Sequence, residues 1–333
     1  MQTPYDIVII GGGTAGITAA IYGYRSGKKI LIIEKNIYGG QIITTSEIEN
    51  YPAFRLKSGY EFAAHLQTQL QQLHISHASD EVIGIERFSE QNAKRTPDHQ
   101  IPSEFPIWNV RGTLENYSAR TVIIATGATH RPLGLPDEDR FVGHGLSYCA
   151  TCDGRFYKGR KTAVIGGGNT AMEESLYLSE LCSKVYLVYR SEQLHGDALL
   201  QSRIKNTGNI HLLPSTRVIG LHGNSKLDKI EISPASDQHD TSSIHSDSHT
   251  ADSHALQIDG LFVAIGQIPQ NNAVANIVRL DHEGYIITDE NCNTGAPGIY
   301  AAGDCRAKKL RQLITAAADG AAAATEAINF LRI

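Results

Sequence analysis

The sequence has no excess of positive charge, no cysteine framework and no segment that reads as a membrane span. Its 30 Lys and Arg are outnumbered by 35 Asp and Glu, a formal net charge of −5. That leaves no basic field for nucleic acid or for an anionic membrane. Five cysteines in 333 residues are no disulfide scaffold, and the odd count argues against full structural pairing. A reducing cytoplasm is expected, where a close cysteine pair is metal-binding or catalytic. Residues 7–24, IVIIGGGTAGITAAIYGY, are uncharged and nearly long enough to span a bilayer. The glycine cluster breaks that run, however, and Asp6 stands where a signal peptide would be basic. The stretch reads as strand, turn and helix.

What is present is a chain with 41% hydrophobic residues, long enough for two domains of ordinary size. It contains an internal echo. DIVIIGGGTAGITAAIY (6–22) and KTAVIGGGNTAMEESLY (161–177) share a β-branched run, three glycines and a helical tail. Each is followed by a second apolar run with a charged end, KKILIIEK (28–35) and SKVYLVYR (183–190). Two such β-α-β units predict an α/β protein with two Rossmann-like dinucleotide-binding domains. TVIIATGA (121–128) and LFVAIGQIP (261–269) answer them as short strands ending at glycine. The simplest organisation inserts the second domain into the first. Residues 1–128 and 257–333 then form one discontinuous dinucleotide-binding domain, and 129–256 the second, with extended linkers on either side. Residues 90–106 and the Ser/His/Asp-rich 234–255 read as polar surface loops. The latter's His239, His245, His249 and His254 lack a fixed metal-ligand spacing.

In the first unit Gly11 permits the tight turn, Gly13 lets the backbone approach a pyrophosphate, and Gly16 lets helix pack on strand. The phosphates sit at the helix N-terminus. Glu34 ends the next strand, where a carboxylate accepts from ribose hydroxyls and repels a 2′-phosphate, so FAD or NAD is expected there. Near the C-terminus, Asp304 follows a strand and a glycine and is placed to accept from the ribityl hydroxyls of a flavin. The Ala-rich helix after Arg311 suits packing against a flat ring. Residues 149–154, CATCDG, hold a Cys-x-x-Cys pair that by itself is a redox disulfide, half of a zinc site or an accident.

Over nearly its whole length the chain resembles the bacterial-type, low-molecular-weight thioredoxin reductases. The resemblance is carried by GGGTAG (11–16), GGQIITTSEIENYP (39–52), ATGA (125–128), CATCDG (149–154), GGGNTA (166–171), and AAGD with RQ (301–304, 311–312). It implies a homodimer with one FAD per subunit, a swivel between the domains, and thioredoxin or a thioredoxin-like protein as partner. Gly11, Gly13, Gly16, Glu34, Gly40, Gln41, Asn50, Gly127, Asp304, Arg311 and Gln312 fall on FAD-contacting positions. Cys149 and Cys152 fall on the redox pair. By the same resemblance Cys152 faces the flavin as a charge-transfer thiolate, Cys149 attacks the protein substrate, and Asp153 gives and takes the proton. A zinc site would need a second close pair, whereas Cys182, Cys292 and Cys305 are isolated. No metal is expected, and these three cysteines have no assigned role.

The second nucleotide site departs from the family. Gly166, Gly168 and Ala171 supply the turn, with Asn169, Thr170 and Glu174 completing the segment. NADPH-dependent members then carry His-Arg-Arg and a further Arg. Here the stretch is YRSEQLHGD (189–197): Arg190 survives, but Ser191 and His195 replace arginines. Losing charge-assisted contacts to a 2′-phosphate weakens NADPH preference, yet no carboxylate at Tyr189 claims a ribose for NADH. Besides a thioredoxin reductase using NADPH or NADH, three alternatives therefore stand. One is an NADH-dependent reductase feeding a peroxidase, whose additional N-terminal domains are not expected here. Another is a ferredoxin-dependent reductase, which the intact GGGNTA opposes. The third is a flavin-binding redox sensor.

Overall fold

The computed structural model describes residues 3–45, 48, 51–52, 58–87, 107–235 and 253–332. The predicted loop at 90–106, Asn50, and most of 234–255 with His239, His245 and His249 lie outside the described residues. In chain order the first elements are β1 (Tyr5–Ile10), α1 (Thr14–Arg25), β2 (Ile30–Glu34), α2 (Gly59–Gln72), β3 (Ser76–Ser79), β4 (Val82–Arg87), β5 (Trp108–Gly112), β6 (Asn116–Ile124) and β7 (Ala128–His130). Then come α3 (Glu138–Phe141), β8 (Leu146–Ser147), α4 (Ala150–Asp153), β9 (Lys161–Ile165), α5 (Asn169–Leu181), β10 (Lys184–Val188), α6 (Ala198–Asn206) and β11 (Ile210–Leu213). The chain closes with β12 (Thr216–Gly223), β13 (Leu227–Pro234), β14 (His254–Gln257), β15 (Gly260–Val263), β16 (Gln267–Pro269), β17 (Ile299–Ala301) and α7 (Leu313–Phe330).

The chain divides into two compact units. The first comprises Met1–Ile43, Tyr51–Thr129 and Ile268–Ile333, and the second Thr44–Asn50 and His130–Gln267. In the first, the strand order is β3-β2-β1-β6-β5-β4, with β17 beside the distal end of β6. β1 pairs in parallel with β2 and β6, which is the doubly wound arrangement. The uninterrupted apolar runs have a reason: both sheet faces are covered. Ile7, Ile9, Ile32 and Ile123 point to the α1 and α7 side, while Val8, Ile10, Leu31, Val122 and Ile124 point to the other. This is the period-two alternation of a strand, with apolar residues in both phases. α2 starts at a capping box in which Ser58 Oγ accepts from Glu61 N and Glu61 Oε2 accepts from Ser58 N.

The second unit repeats the plan with order β11-β10-β9-β15-β8, all parallel. Ala163, Ile165, Leu261 and Val263 line one face, and Val164, Leu187 and Phe262 the other. An antiparallel sheet, β12-β13-β14, follows, with the Ser/His/Asp-rich stretch falling between β13 and β14. The return to the first unit lies at Ile268, not at 257. The physical reason is β15: its four buried residues pair in parallel with β9, so it belongs to the second sheet. The connections β7 and β16 are extended and pair with each other.

Candidate functional site

In the first unit the β1–α1 turn is shaped by close approach. Gly11 adopts φ +112°, and a Cβ there would strike the Ala125 carbonyl. A Cβ on Gly16 would strike the carbonyl of Gly11, so helix and strand pack at a distance no side chain permits. Gly13, by contrast, faces open space, its nearest would-be neighbour being Gly39 O at 3.9 Å. Glu34 closes the turn from β2. Its Oε2 accepts from Gly12 N at 2.6 Å and its Oε1 from Asn36 N at 2.8 Å. Each carboxylate oxygen keeps a further acceptor position. Gly40 and Gln41 open the short helical turn Gly40–Thr44, tied to the first turn by Gly39 N donating to Gly12 O at 2.8 Å. Gly127, at φ +69°, follows β6.

At the other end of this unit Asp304 sits on the turn Gly303–Cys305, directly after β17. Its Oδ1 is buried without a hydrogen-bond partner. Arg311 stacks its guanidinium 4.0 Å over the Tyr285 ring, and its Nε is also buried and unpartnered. Gln312 caps α7, its N–H donating to Thr315 Oγ1 at 3.1 Å. Buried polar atoms without partners are costly, and here an acceptor and a donor wait within one short segment. Together with the glycine turn and Glu34, they fit a flavin dinucleotide. Glycines and Glu34 would hold the pyrophosphate and ribose, and Asp304 and Arg311 the ribityl and ring end.

The second unit carries the disulfide. Cys149 and Cys152 are bonded, with Cα atoms 5.3 Å apart, across the first turn of α4. Both are half-buried. Cys149 O accepts from Asp153 N at 3.1 Å. Ser147, at the end of β8 and buried, ties the motif together. Its Oγ donates to Asp153 Oδ2 at 2.6 Å and accepts from Cys149 N at 3.1 Å. Nothing in the local sequence pattern singled out Ser147, although a hydroxyl two residues before the first cysteine is a signal in retrospect.

Glu174, assigned by resemblance to the nucleotide, projects from α5 to the cysteine turn. Its Oε1 accepts from Ala150 N at 3.3 Å, and its Oε2 is buried without a partner. Burial pushes its pKa up to about 7, opposed by the Ala150 N–H and aided by Glu173. Glu138, on α3, accepts from Leu133 N and Gly134 N, both at 2.9 Å, and from Tyr148 Oη at 2.7 Å.

The remaining second-unit residues gather around the β9–α5 turn. Gly168 has open space around it, and Thr170 is exposed beside it. Gly166 and Ala171 are buried where α5 meets the sheet. Asn169 Oδ1 accepts from Asp197 N at 2.8 Å, and Gly167 O accepts from His195 N at 2.8 Å. These bonds pin the 195–197 segment to the glycine turn. Tyr189 is buried, Arg190 exposed. Ser191 Oγ donates to Gln193 O at 2.6 Å, so its proton is already engaged. Asp197 caps α6, accepting from Leu199 N and Leu200 N.

Cys182, Cys292 and Cys305 are buried core thiols that donate to the carbonyls of Tyr157, of Asp319, and of Ile124 and Ala302, respectively. Burial pushes Cys292 up to about 12 and Cys305 up to about 11. Among the described residues no three His, Cys, Asp or Glu gather as a metal site, and no helix is long and apolar enough to cross a membrane.

Residues 5–320 match the model of the pyridine nucleotide-disulphide oxidoreductase family. Thioredoxin reductase of Listeria monocytogenes is 36% identical over 327 residues, 98% of this chain and 94% of that one. Thioredoxin reductase of Treponema pallidum is 36% identical over 332 residues, covering 99% and 98%. Among solved structures, thioredoxin reductase from Streptococcus pyogenes superposes with a TM-score of 0.85 at 34% identity, covering 100% of this chain and 99% of that one.

Proposed function

The chain belongs to the pyridine nucleotide-disulphide oxidoreductase family, and from that premise we propose that it is an FAD-dependent thioredoxin-disulfide reductase. The observation that carries this reading is the Cys149–Cys152 disulfide with Asp153 held 2.6 Å from Ser147 Oγ. Its similarity to proteins named thioredoxin reductase over almost the whole chain supports the same conclusion. Bound FAD supplies the two-electron chemistry that links a nicotinamide to a disulfide.

The chain's own residues divide the work. Gly11 would allow the turn and Gly16 the close packing of helix on strand, so that Gly13 brings the backbone at the α1 N-terminus up to the pyrophosphate. Glu34 would accept from the ribose, and Asp304 and Arg311 would hold the ribityl and ring end, with Gly40, Gln41, Asn50, Gly127 and Gln312 completing the site. Gly166, Gly168, Asn169, Thr170, Ala171, Glu174 and Arg190 would cradle the nicotinamide dinucleotide. Once the Cys149–Cys152 bond has taken up two electrons, the Cys149 thiolate attacks the disulfide of thioredoxin or a thioredoxin-like protein. One partner sulfur leaves and takes a proton, and a mixed disulfide forms. Cys152 then attacks Cys149 Sγ, restoring the internal disulfide and releasing the second partner sulfur. Asp153 supplies and recovers the proton while Ser147 fixes its carboxylate. Glu174 works from the nucleotide helix onto the turn between the cysteines.

The donor is NADPH or NADH. The 2′-phosphate grip is weak in this reading, because Ser191 and His195 stand where arginines would hold it and Ser191 Oγ already donates to Gln193 O. The protein acts as a cytoplasmic homodimer. Anaerobic titration of the yellow flavoprotein with NADPH, NADH and reduced ferredoxin in parallel tests the donor. Reoxidation by thioredoxin tests the acceptor. Bleaching by a nicotinamide followed by thioredoxin-dependent recovery is expected, and Cys152→Ser should abolish the recovery. Full thioredoxin turnover in Cys152→Ser would overturn the mechanism.

A further inference from the structure

The motif residues leave a group of buried charges in the first unit unexplained. From Thr315 to Thr325 α7 is Ala, Gly and Thr with one exception, the buried Asp319, which is only 8% exposed. Arg306 engages this carboxylate with two bonds, Nε donating to Oδ2 at 2.9 Å and Nη2 to Oδ1 at 3.2 Å. Gly303 N donates to Oδ2 at 3.0 Å. One cation is enough for one carboxylate, but a second arrives. Lys308 Nζ donates to Asp319 Oδ2 at 2.9 Å and to Thr315 Oγ1 at 3.3 Å, with its side chain 10% exposed.

A buried ammonium costs heavily unless it is paired, and Asp319 is already matched by Arg306, so two cations stand against one carboxylate. The remaining neighbour of Lys308 is Asp304, whose Oδ1 lies 3.6 Å away. That separation is an ion pair and too long for a hydrogen bond, so Oδ1 stays free to accept. We propose that Lys308 is a positioning residue for the cofactor: anchored by Asp319 and Thr315, it holds Asp304 as a charged acceptor for a ribityl hydroxyl of the flavin. The inference rests on the reading of Asp304 as a flavin contact.

The groups facing Asp304 are Lys308, Arg311, Asp319, Tyr285 and Cys305. Burial raises the Asp304 carboxyl, and Asp319 raises it further. Lys308 and then Arg311 pull it back down. Tyr285 and Cys305 are both pushed upward by burial and stay neutral through the working range. Removing Lys308 therefore tips Asp304 toward its protonated form, and the more so as pH falls. A bond to a charged acceptor is roughly twice as strong as a neutral one.

FAD release from the holoenzyme on dilution, followed by flavin fluorescence between pH 6 and 8, tests this. Lys308→Met should accelerate release about five- to tenfold at neutral pH, with a larger effect at pH 6 than at pH 8. Lys308→Arg should restore release to within about twofold of wild type. In an Asp304→Asn background, Lys308→Met should add less than about twofold. Equal release from wild type and Lys308→Met would overturn the proposal. So would an acceleration of undiminished size in the Asp304→Asn background, because Lys308 would then serve only the packing of α7. If Asp304→Asn alone leaves release unchanged, the reading of Asp304 as a flavin contact fails, and the proposal with it. Should Lys308→Met not accumulate as folded holoenzyme, Lys308→Gln keeps a donor to Asp319 without the charge and is judged by the same outcomes.

Discussion

Replacing Glu174 by Gln should flatten a pH dependence of stability that the wild-type protein carries. Glu174 has its pKa raised from 4.5 to about 7, mainly by burial. Below the lower value both the folded and unfolded chains hold the proton. Between the two values the folded chain keeps a proton that the unfolded chain has released, so stability falls as pH rises. Above the upper value both are ionised and the folded chain bears the whole cost. The shift corresponds to about 3 kcal/mol across the window, an upper figure because the protein relaxes around the charge. Gln keeps the acceptor for Ala150 N but also introduces an amide N–H₂ where Glu174 Oε2 has no partner. That costs about 1–3 kcal/mol at every pH. The difference between wild type and variant must therefore be read as a slope and not as an offset. Urea unfolding of both proteins at intervals from pH 4.5 to 8 measures it, and the infrared carbonyl band of a protonated acid, lost on raising pH through 7, reports the group directly. Parallel stability curves, or a wild-type band already absent at pH 6, would refute the reasoning.

Three further outcomes are expected. Gly16→Ala should leave the protein largely without FAD and lower its melting temperature, since the new methyl group meets the Gly11 carbonyl; overpacking of this kind costs about 1–3 kcal/mol or more. Flavin absorbance per polypeptide checks it, and full occupancy would refute it. Ser147→Ala should slow thioredoxin reduction about fivefold, the share of a charge-assisted bond that water does not replace at the half-buried Asp153. Steady-state assays at saturating nicotinamide would detect it, and turnover within twofold of wild type would remove Ser147 from the mechanism. Ser191→Arg combined with His195→Arg should raise kcat/KM for NADPH at least tenfold relative to NADH; an unchanged ratio of the two constants would show that the 2′-phosphate is not held there.

The two β-α-β units were legible because three independent signals coincide in each. Apolar residues fill both strand phases, glycines stand where backbone meets backbone, and a helical tail follows. Ile7 and Ile9 serve one sheet face, and Val8 and Ile10 the other, so no polar position interrupts β1. β15 shows where that kind of signal stops. LFVAIGQIP is apolar in the same way and suits either sheet, and only its pairing with β9 assigns it to the second unit. The polar partners were hidden for a different reason. Ser147 meets Asp153 because a two-residue strand delivers it beside the cysteine turn, a relation no periodicity encodes.

Glu174 lies on the helix of a nucleotide motif, and its sequence context therefore names the nucleotide. Its carboxylate also accepts from the backbone between the two cysteines, which the motif does not announce. Asp319 did leave a trace, as the one acidic residue inside the run AAADGAAAA. A charge in the middle of a small-residue helix that packs on α1 has to be paired, because burying it alone costs far more than the helix gains. The structure meets that requirement with Arg306 and Lys308, from the segment just before the helix begins. Glycine turns and cysteine spacing thus reveal which chemistry the chain carries. The hydrogen bonds that set its protonation states emerge only when the elements are packed.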